Sequence, residues 1–236
     1  MIEPDARITA LRAGLVEAVR AGREAERDVF GALDRVVRDA PSPDGGWSAK
    51  DVQAHLSAWK RRQVERMAAI REDCEEPAVA ETDEINAVFH AERADWPWER
   101  VVGDADRSTS DLIAEVEAAS PATLGLDRVS GTVLGNGPEH TLTHLAGVAA
   151  SAGLSSRVDD LADAIAEIVD RGAWPGRPAA YARYNLACFH ALSGRLDTAR
   201  ELLRQALAHQ EELRAFAPED DDLITLRDEI PALIRG

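Results

Sequence analysis

The residues of this chain best suited to chemistry are three histidines, His55, His140 and His144. His140 and His144 are four positions apart, and on a helix such residues share one face, with about 5–6 Å between their Cβ atoms. Two imidazoles in this arrangement can bind one divalent metal ion. A third histidine from another helix would complete a site with an open coordination position, which is typical of catalytic metal centres. A chance pair, one inward and one on the surface, is the alternative interpretation.

The helix predicted to carry His55 begins at a capping sequence. Ser48 is a good N-cap, and Asp51 three residues later resembles the second half of a capping box. The apolar stripe that follows consists of Val52, Leu56 and Trp59. His55 lies beside this stripe, so we expect its side chain to point into or along the core.

Apolar periodicity predicts an all-α chain. Helices are predicted over residues 5–39, 48–73, 83–94, 98–120 and 138–153. Pro138 suits the first position of the last of these helices and Gly153 its C-terminal end. Residues 121–137 are rich in glycine, proline and turn residues, so a long connection is expected there. Four main helices with a long third connection predict a four-helix bundle over residues 1–153.

Residues 156–236 have a different pattern of small residues. Leu186 and Ala187 are adjacent, Gly194 lies eight positions after the leucine, and Ala199 and Ala206 are seven apart. This pattern matches the tetratricopeptide repeat, in which two antiparallel helices pack closely. The segment therefore predicts a short helical domain similar to a tetratricopeptide repeat. Such a domain is a candidate surface for a protein partner or for self-association.

Composition and charge exclude several classes of function. With 43 acidic and 27 basic residues the formal net charge is -16, which disfavours a direct nucleic-acid partner. No apolar run approaches the roughly 18 residues of a membrane span. Two cysteines do not form a disulfide framework, and the first thirty residues lack the apolar core of a signal peptide. We therefore expect a cytoplasmic protein without membrane contact.

Three segments resemble the DinB-like superfamily of helical bundles, and within it the ClbS/DfsB type is the most similar. Residues 46–59, GWSAKDVQAHLSAW, resemble the second-helix signature of the superfamily. Residues 85–101, INAVFHAERADWPWERV, are similar to the third-helix region of that type. The H-x-x-x-H of His140 and His144 falls where the superfamily has its own. The likeness covers about residues 1–153.

The resemblance implies a divalent metal ion, often zinc or nickel, held by His55, His140 and His144. Many members resemble thiol S-transferases that use a small thiol cofactor, and a bound metal lowers the pKa of a thiol. The ClbS/DfsB type includes resistance proteins that open a strained ring in reactive DNA-damaging metabolites.

We therefore expect an enzyme of detoxification or self-resistance that acts on a reactive electrophilic small molecule. Its reaction would be metal-assisted thiol transfer or hydrolytic ring opening. The alternative is a non-catalytic module that sequesters a ligand or binds a protein partner through the repeat-like domain.

Three further residues are candidates for roles around such a centre, and a fourth, Trp47, has a structural interpretation. His90 is a candidate general base lining the cavity, or else a partly exposed helix residue. Trp96 and Trp98 lie at a helix break and are candidate walls of a substrate pocket. For Trp47, stapling of the helix start is the preferred interpretation.

Overall fold

Helices account for the regular structure of this chain. The computed structural model describes residues 4–42, 45–78, 81–174, 176–208 and 210–235, and these contain no strand. The prediction of an all-α protein is therefore confirmed. None of the helices in these ranges is long and apolar enough to cross a membrane. The chain divides into two compact units, Met1–Leu161 and Ala162–Gly236.

The first unit contains all three histidines of the candidate centre. Its helices are α1 (Pro4–Ala32), α2 (Arg35–Asp39), α3 (Ala49–Arg71), α4 (Thr82–Arg93), α5 (Trp98–Ala118), α6 (Pro121–Leu124), α7 (Asp127–Asn136) and α8 (Pro138–Ala152). Helix α1 packs against α5 and α8, while α3 packs against α5, α7 and α8. Helix α9 (Ser156–Asp170) continues past the boundary between the units.

The helix predicted over residues 5–39 is interrupted. Helix α1 ends at Ala32 and α2 begins at Arg35. Between them, the carboxylate of Asp34 accepts a hydrogen bond from the backbone N–H of Val37, at 2.9 Å. Asp34 is thus an N-cap, and a capping aspartate within an apolar pattern starts a new helix instead of continuing the old one.

The prediction of a long connection over residues 121–137 was wrong. This segment forms α6 and α7, which together occupy most of it. Ser120 caps α6 by accepting from the N–H of Thr123, and Pro121 stands in the first turn, where its missing N–H costs nothing. In α7, Val129 and Val133 are fully buried. Capping and burial thus outweigh the local turn preference of the glycines.

The two helices that carry the histidines have the predicted ends. At the start of α3, Ser48 and Asp51 form a complete capping box, each side chain accepting from the backbone N–H of the other. Helix α8 has Pro138 in its first turn and ends at Gly153. Gly153 has a φ of 70°, a left-handed conformation that strongly favours glycine.

The second unit contains a closely packed helix pair. Helix α10 (Arg177–Leu192) packs against α11 (Leu196–Leu207), and Gly194 with a φ of 74° lies in the turn between them. Ala187, Ala199 and Ala206 are fully buried in its core, together with larger apolar residues. Two short helices, α12 (Glu211–Phe216) and α13 (Ile230–Arg235), and the 3-10 turns Ala217–Glu219 and Asp221–Leu226 complete the unit.

The capping box at the start of α3 provides a first test of this architecture. We expect Ser48→Ala to lower the free energy of unfolding by about 1 kcal/mol, because a backbone N–H loses its acceptor. Urea denaturation followed by circular dichroism measures this change. Ser110→Ala is the matched control, since Ser110 is exposed within a helix and its hydroxyl bonds only to the carbonyl of Asp106. An equal loss in both variants would contradict the capping role.

Candidate metal centre

The three predicted histidines lie together in the first unit. The Nε2 atom of His140 is 3.0 Å from Nε2 of His55 and 2.9 Å from Nε2 of His144. The rings of His55 and His144 have centroids 4.8 Å apart. Helix α3 supplies His55, and α8 supplies the other two from one face. These side chains form a cluster that could hold one metal ion.

Hydrogen bonds alone cannot satisfy the three Nε2 atoms in this arrangement. An imidazole Nε2 has either one proton or one lone pair in the ring plane, so it makes one good hydrogen bond. Nε2 of His140 has two close partners, and in the neutral protein one of the two contacts must be unfavourable. A shared cation removes the conflict, because all three lone pairs then point at it. Tetrahedral zinc with Zn–N bonds of about 2.0–2.1 Å separates its nitrogen ligands by about 3.3 Å, close to the distances observed.

The protonation states of the cluster also suit a metal. Burial, with a further contribution from His144, lowers the pKa of His55 to about 3. Burial also lowers the pKa of His140 and of His144, and neighbouring positive groups add to the effect at His140. All three imidazoles are therefore neutral at pH 7. The neutral form is the one that binds metal ions.

Aromatic packing holds the rings of His55 and His140. The ring of His55 lies 4.7 Å from that of Trp47, and Trp59 approaches His140 at 5.9 Å. The Nδ1 atoms of His55 and His140 are buried and have no hydrogen-bond partner among the described residues. Metal-binding histidines usually donate this second N–H to an acceptor. Here packing replaces that bond, and Trp47, which the sequence suggested was a helix staple, contacts a candidate ligand directly.

His90 lies near the cluster but outside it. Its ring stacks on Trp47 with centroids 5.5 Å apart, and its Nε2 is 3.8 Å from a carboxylate oxygen of Asp51. A small cavity of about 10 Å³ is lined by both His55 and His90. That volume is at the lower limit for one water molecule. His90 thus shares a small space with His55 but makes its own contacts with Trp47 and Asp51.

Trp96 and Trp98 pack against arginines. The guanidinium of Arg100 lies 3.9 Å from the ring centroid of Trp96, and that of Arg38 lies 4.5 Å from the ring of Trp98. Phe30 also contacts Trp98 edge-on, at 6.4 Å. These partners account for much of the indole surfaces through cation–π and aromatic contacts. The structure does not bring the two tryptophans into the histidine cluster.

A buried network of charged residues lies beside the histidines, and the sequence analysis did not identify it. Glu26 on α1 is fully buried and accepts hydrogen bonds from Lys60 and Gln53 on α3, and from Thr141 on α8. Arg23 completes the network as a fourth donor. Burial opposes ionisation of Glu26, but Lys60 and Arg23 outweigh it and its pKa is lowered. A signal was present: Lys60 stands four positions after Leu56, on a core-facing stripe.

A second group of metal-ligating residue types lies in the other unit: Cys188, Asp220 and Asp222. Asp220 already accepts hydrogen bonds from the hydroxyl of Tyr184 at 2.7 Å and from the N–H of Asp222 at 3.0 Å. Burial and the two aspartates raise the pKa of the Cys188 thiol, so it stays protonated. Through the hydrogen bonds of Asp220, this group joins α10 to the 3-10 turn that contains Asp222.

The lowered pKa values predict how metal-free protein responds to acid. The pKa of His55 is 6.5 when unperturbed and about 3 in the folded protein, so between these values only the unfolded chain takes up the proton. This contribution to stability is complete above pH 6.5 and is lost as the pH falls through 3. Urea midpoints of chelator-treated protein near pH 7 and near pH 5 measure the loss. We expect a smaller loss in His55→Phe; an identical loss would contradict the depressed pKa.

Removing the carboxylate of Glu26 should destabilise the first unit strongly. Glu26→Gln leaves Lys60 buried without its counter-charge, which typically costs about 3–5 kcal/mol, whereas Arg23 keeps its ion pair with Asp106. Denaturant unfolding measures the change in free energy. Glu24→Gln is the matched control, because Glu24 is exposed on the same helix. Similar stabilities of the two variants would show that the buried network contributes little.

Comparison with models of known protein families, with curated proteins and with solved structures finds no match for this chain. The assignment of a candidate metal centre therefore rests on the three histidines themselves. They are neutral, two helices supply them, and the Nε2 atom of His140 lies within 3.0 Å of the other two Nε2 atoms.

Proposed function

We propose that this protein is a metal-dependent enzyme that acts on a reactive electrophilic small molecule, in detoxification or self-resistance. The convergence of three Nε2 atoms on one point, with His140 unable to bond to both neighbours, is the observation that carries the proposal. Zinc or nickel suits an all-imidazole site. Three protein ligands leave a position open, which is the arrangement of catalytic rather than structural centres.

The fold proposed for this function is a DinB-like four-helix bundle followed by a domain similar to a tetratricopeptide repeat. Helices α1, α3, α5 and α8 would be the four helices of the bundle. The packing of α1 and α3 against α5 and α8 supports this assignment. In the second unit, the close pair of α10 and α11 with its buried alanines supports the repeat-like domain. That domain is a surface for a protein partner or for self-association.

Different residues have different roles in the proposed reaction. His55, His140 and His144 hold the cation, which supplies Lewis acidity that favours the deprotonated form of a thiol or of water. Trp47 packs against the ring of His55, and Trp59 packs against the ring of His140. His90, which lines the same small cavity as His55, would exchange a proton through an intervening water. In thiol transfer, the S–H bond and a carbon–oxygen bond of a strained ring break, a sulfur–carbon bond forms, and the proton lost by the thiol ends on the released oxygen.

Metal analysis tests the centre. Chelator-treated protein is dialysed against Zn²⁺ or Ni²⁺ and its metal content is measured; we expect about one ion per chain. His55→Ala and His144→Ala should lose it, while His90→Ala, the control, should keep it. Circular dichroism confirms that each variant is folded. Folded wild-type protein that takes up no ion would overturn the metal-dependent function and leave metal-free hydrolytic ring opening and ligand sequestration as the alternatives.

An activity assay separates the two reaction types. Loaded protein is mixed with styrene oxide and a small thiol, and the products are separated by chromatography. A thioether that depends on the three histidines identifies thiol transfer, and a diol formed without thiol identifies hydrolytic opening. We expect His90→Ala to lower the rate by about 10²–10⁴-fold if His90 acts as the base. No product with any metal would contradict catalysis on this class of electrophile.

A further inference from the structure

A cavity of about 680 Å³ opens beside the histidine cluster within the first unit. The imidazole of His144 forms part of its wall, so the cavity and the candidate centre share a residue. Helix α2 with residues 40–42, 46 and 47 forms one side, and the exposed part of α8 forms the other. A volume of this size lies in the usual range for small-molecule sites.

The described residues that line this cavity are mostly apolar, and none of them has a charged side chain. Its apolar side chains include Val37, Pro41, Trp47, Val52 and Val148. Apart from His144, the polar side chains on the wall are the hydroxyls of Ser42 and Ser151. Among the described residues that line it there is no aspartate, glutamate, lysine or arginine. In a chain of which 30% is charged, such a surface is a marked exception.

We propose that this cavity binds an uncharged, largely apolar small molecule and presents it to the histidine cluster. Burying an anion or a cation without a counter-charge is costly, and these walls offer none. A neutral molecule pays no such cost and gains from the apolar contacts. The choice of ligand rests on the cavity alone, whereas its chemical conversion rests on the proposed function.

The proposal also assigns roles to the two reactants of thiol transfer. Common small thiol cofactors carry carboxylates or many hydroxyls, which need charged or polar partners. The cavity beside His144 lacks such partners and therefore suits the electrophile. The thiol must then reach the cluster from elsewhere.

Two dyes that differ by one charged group test the preference for neutral ligands. Phenylnaphthylamine is uncharged, and anilinonaphthalene sulfonate adds a sulfonate to the same aromatic frame. Fluorescence titration of the full chain should show binding of the neutral dye about tenfold or more tighter than that of the anion. Equal affinities, or tighter binding of the sulfonate, would overturn the proposal.

Variants locate the bound dye. Gly147 on α8 lines the cavity, and a Cβ added there meets nothing within 4 Å, so Gly147→Leu fills open space. We expect this variant to weaken binding of the neutral dye about tenfold or more. Gly135→Leu is the matched control, because Gly135 is also an exposed helical glycine with open space around it. Unchanged binding in Gly147→Leu would place the dye elsewhere and refute the site.

A charge at the cavity mouth provides an independent variant. Val37→Arg adds a guanidinium to the wall without replacing a buried core residue, since Val37 is half exposed. The sulfonated dye should then gain affinity relative to the neutral one. No change in the ratio would contradict binding at this wall.

Metal content measured on the same samples keeps the two proposals apart. Gly147→Leu should retain the ion that the histidine variants lose. If wild-type protein binds no metal but its dye binding is still weakened by Gly147→Leu, the cavity proposal stands and the metal-dependent function fails. If the protein binds metal but Gly147→Leu leaves dye binding unchanged, the metal-dependent function stands and the cavity proposal fails.

Discussion

A single buried carboxylate links the helices on which the candidate centre depends. Glu26 on α1 accepts from Lys60 and Gln53 on α3 and from Thr141 on α8. A buried carboxylate is stable only with its partners in place, so its contacts restrict how α3 and α8 can slide past α1. Thr141 follows His140 directly in sequence. The same network that satisfies Glu26 therefore positions His140 relative to His55.

This dependence explains why the imidazoles can lie close together although the Nδ1 atoms of His55 and His140 have no hydrogen-bond partner among the described residues. Helix register fixes the backbone positions of His55, His140 and His144, and tryptophans pack against the rings of His55 and His140. Histidines oriented only by packing lack the acceptor that normally raises ligand basicity. The cluster should consequently bind its metal more weakly than a site of the same three ligands with carboxylate partners. Its low basicity is consistent with the lowered pKa values, which burial dominates.

Local patterns predicted the elements of the first unit better than their interruptions. The capping box of Ser48 and the ends of α8 were predicted because each depends on residues close in sequence. The helices within residues 121–137 were missed, since burial against distant partners decides them. The break at Asp34 was missed although its signal, a capping aspartate, is local. The H-x-x-x-H spacing predicted the two candidate ligands of α8, His140 and His144. Spacing alone could not show that His55 lies beside them, because that depends on the packing of α3 against α8.

For a related reason, the sequence pattern indicated only Lys60 of the buried network and gave no sign of the cavity. Lys60 is a charged residue on an apolar stripe, and its partner Glu26 lies 34 positions earlier on another helix. Residues of the cavity come from α2, the segment after it, α3 and α8. Their shared lack of charge becomes visible only when the helices are assembled.

The buried network around Glu26 and the cavity beside His144 together determine the electrostatics around the histidines. Glu26 and Asp106 balance the charges of Lys60 and Arg23, and the three imidazoles are neutral. The described residues that line the cavity beside His144 have no charged side chain. A cation held by the histidines would therefore be the dominant unbalanced charge near a bound ligand. In this proposal the cavity and the centre have complementary roles. The walls favour an apolar molecule, and the cation held by the histidines supplies the charge that the reaction needs.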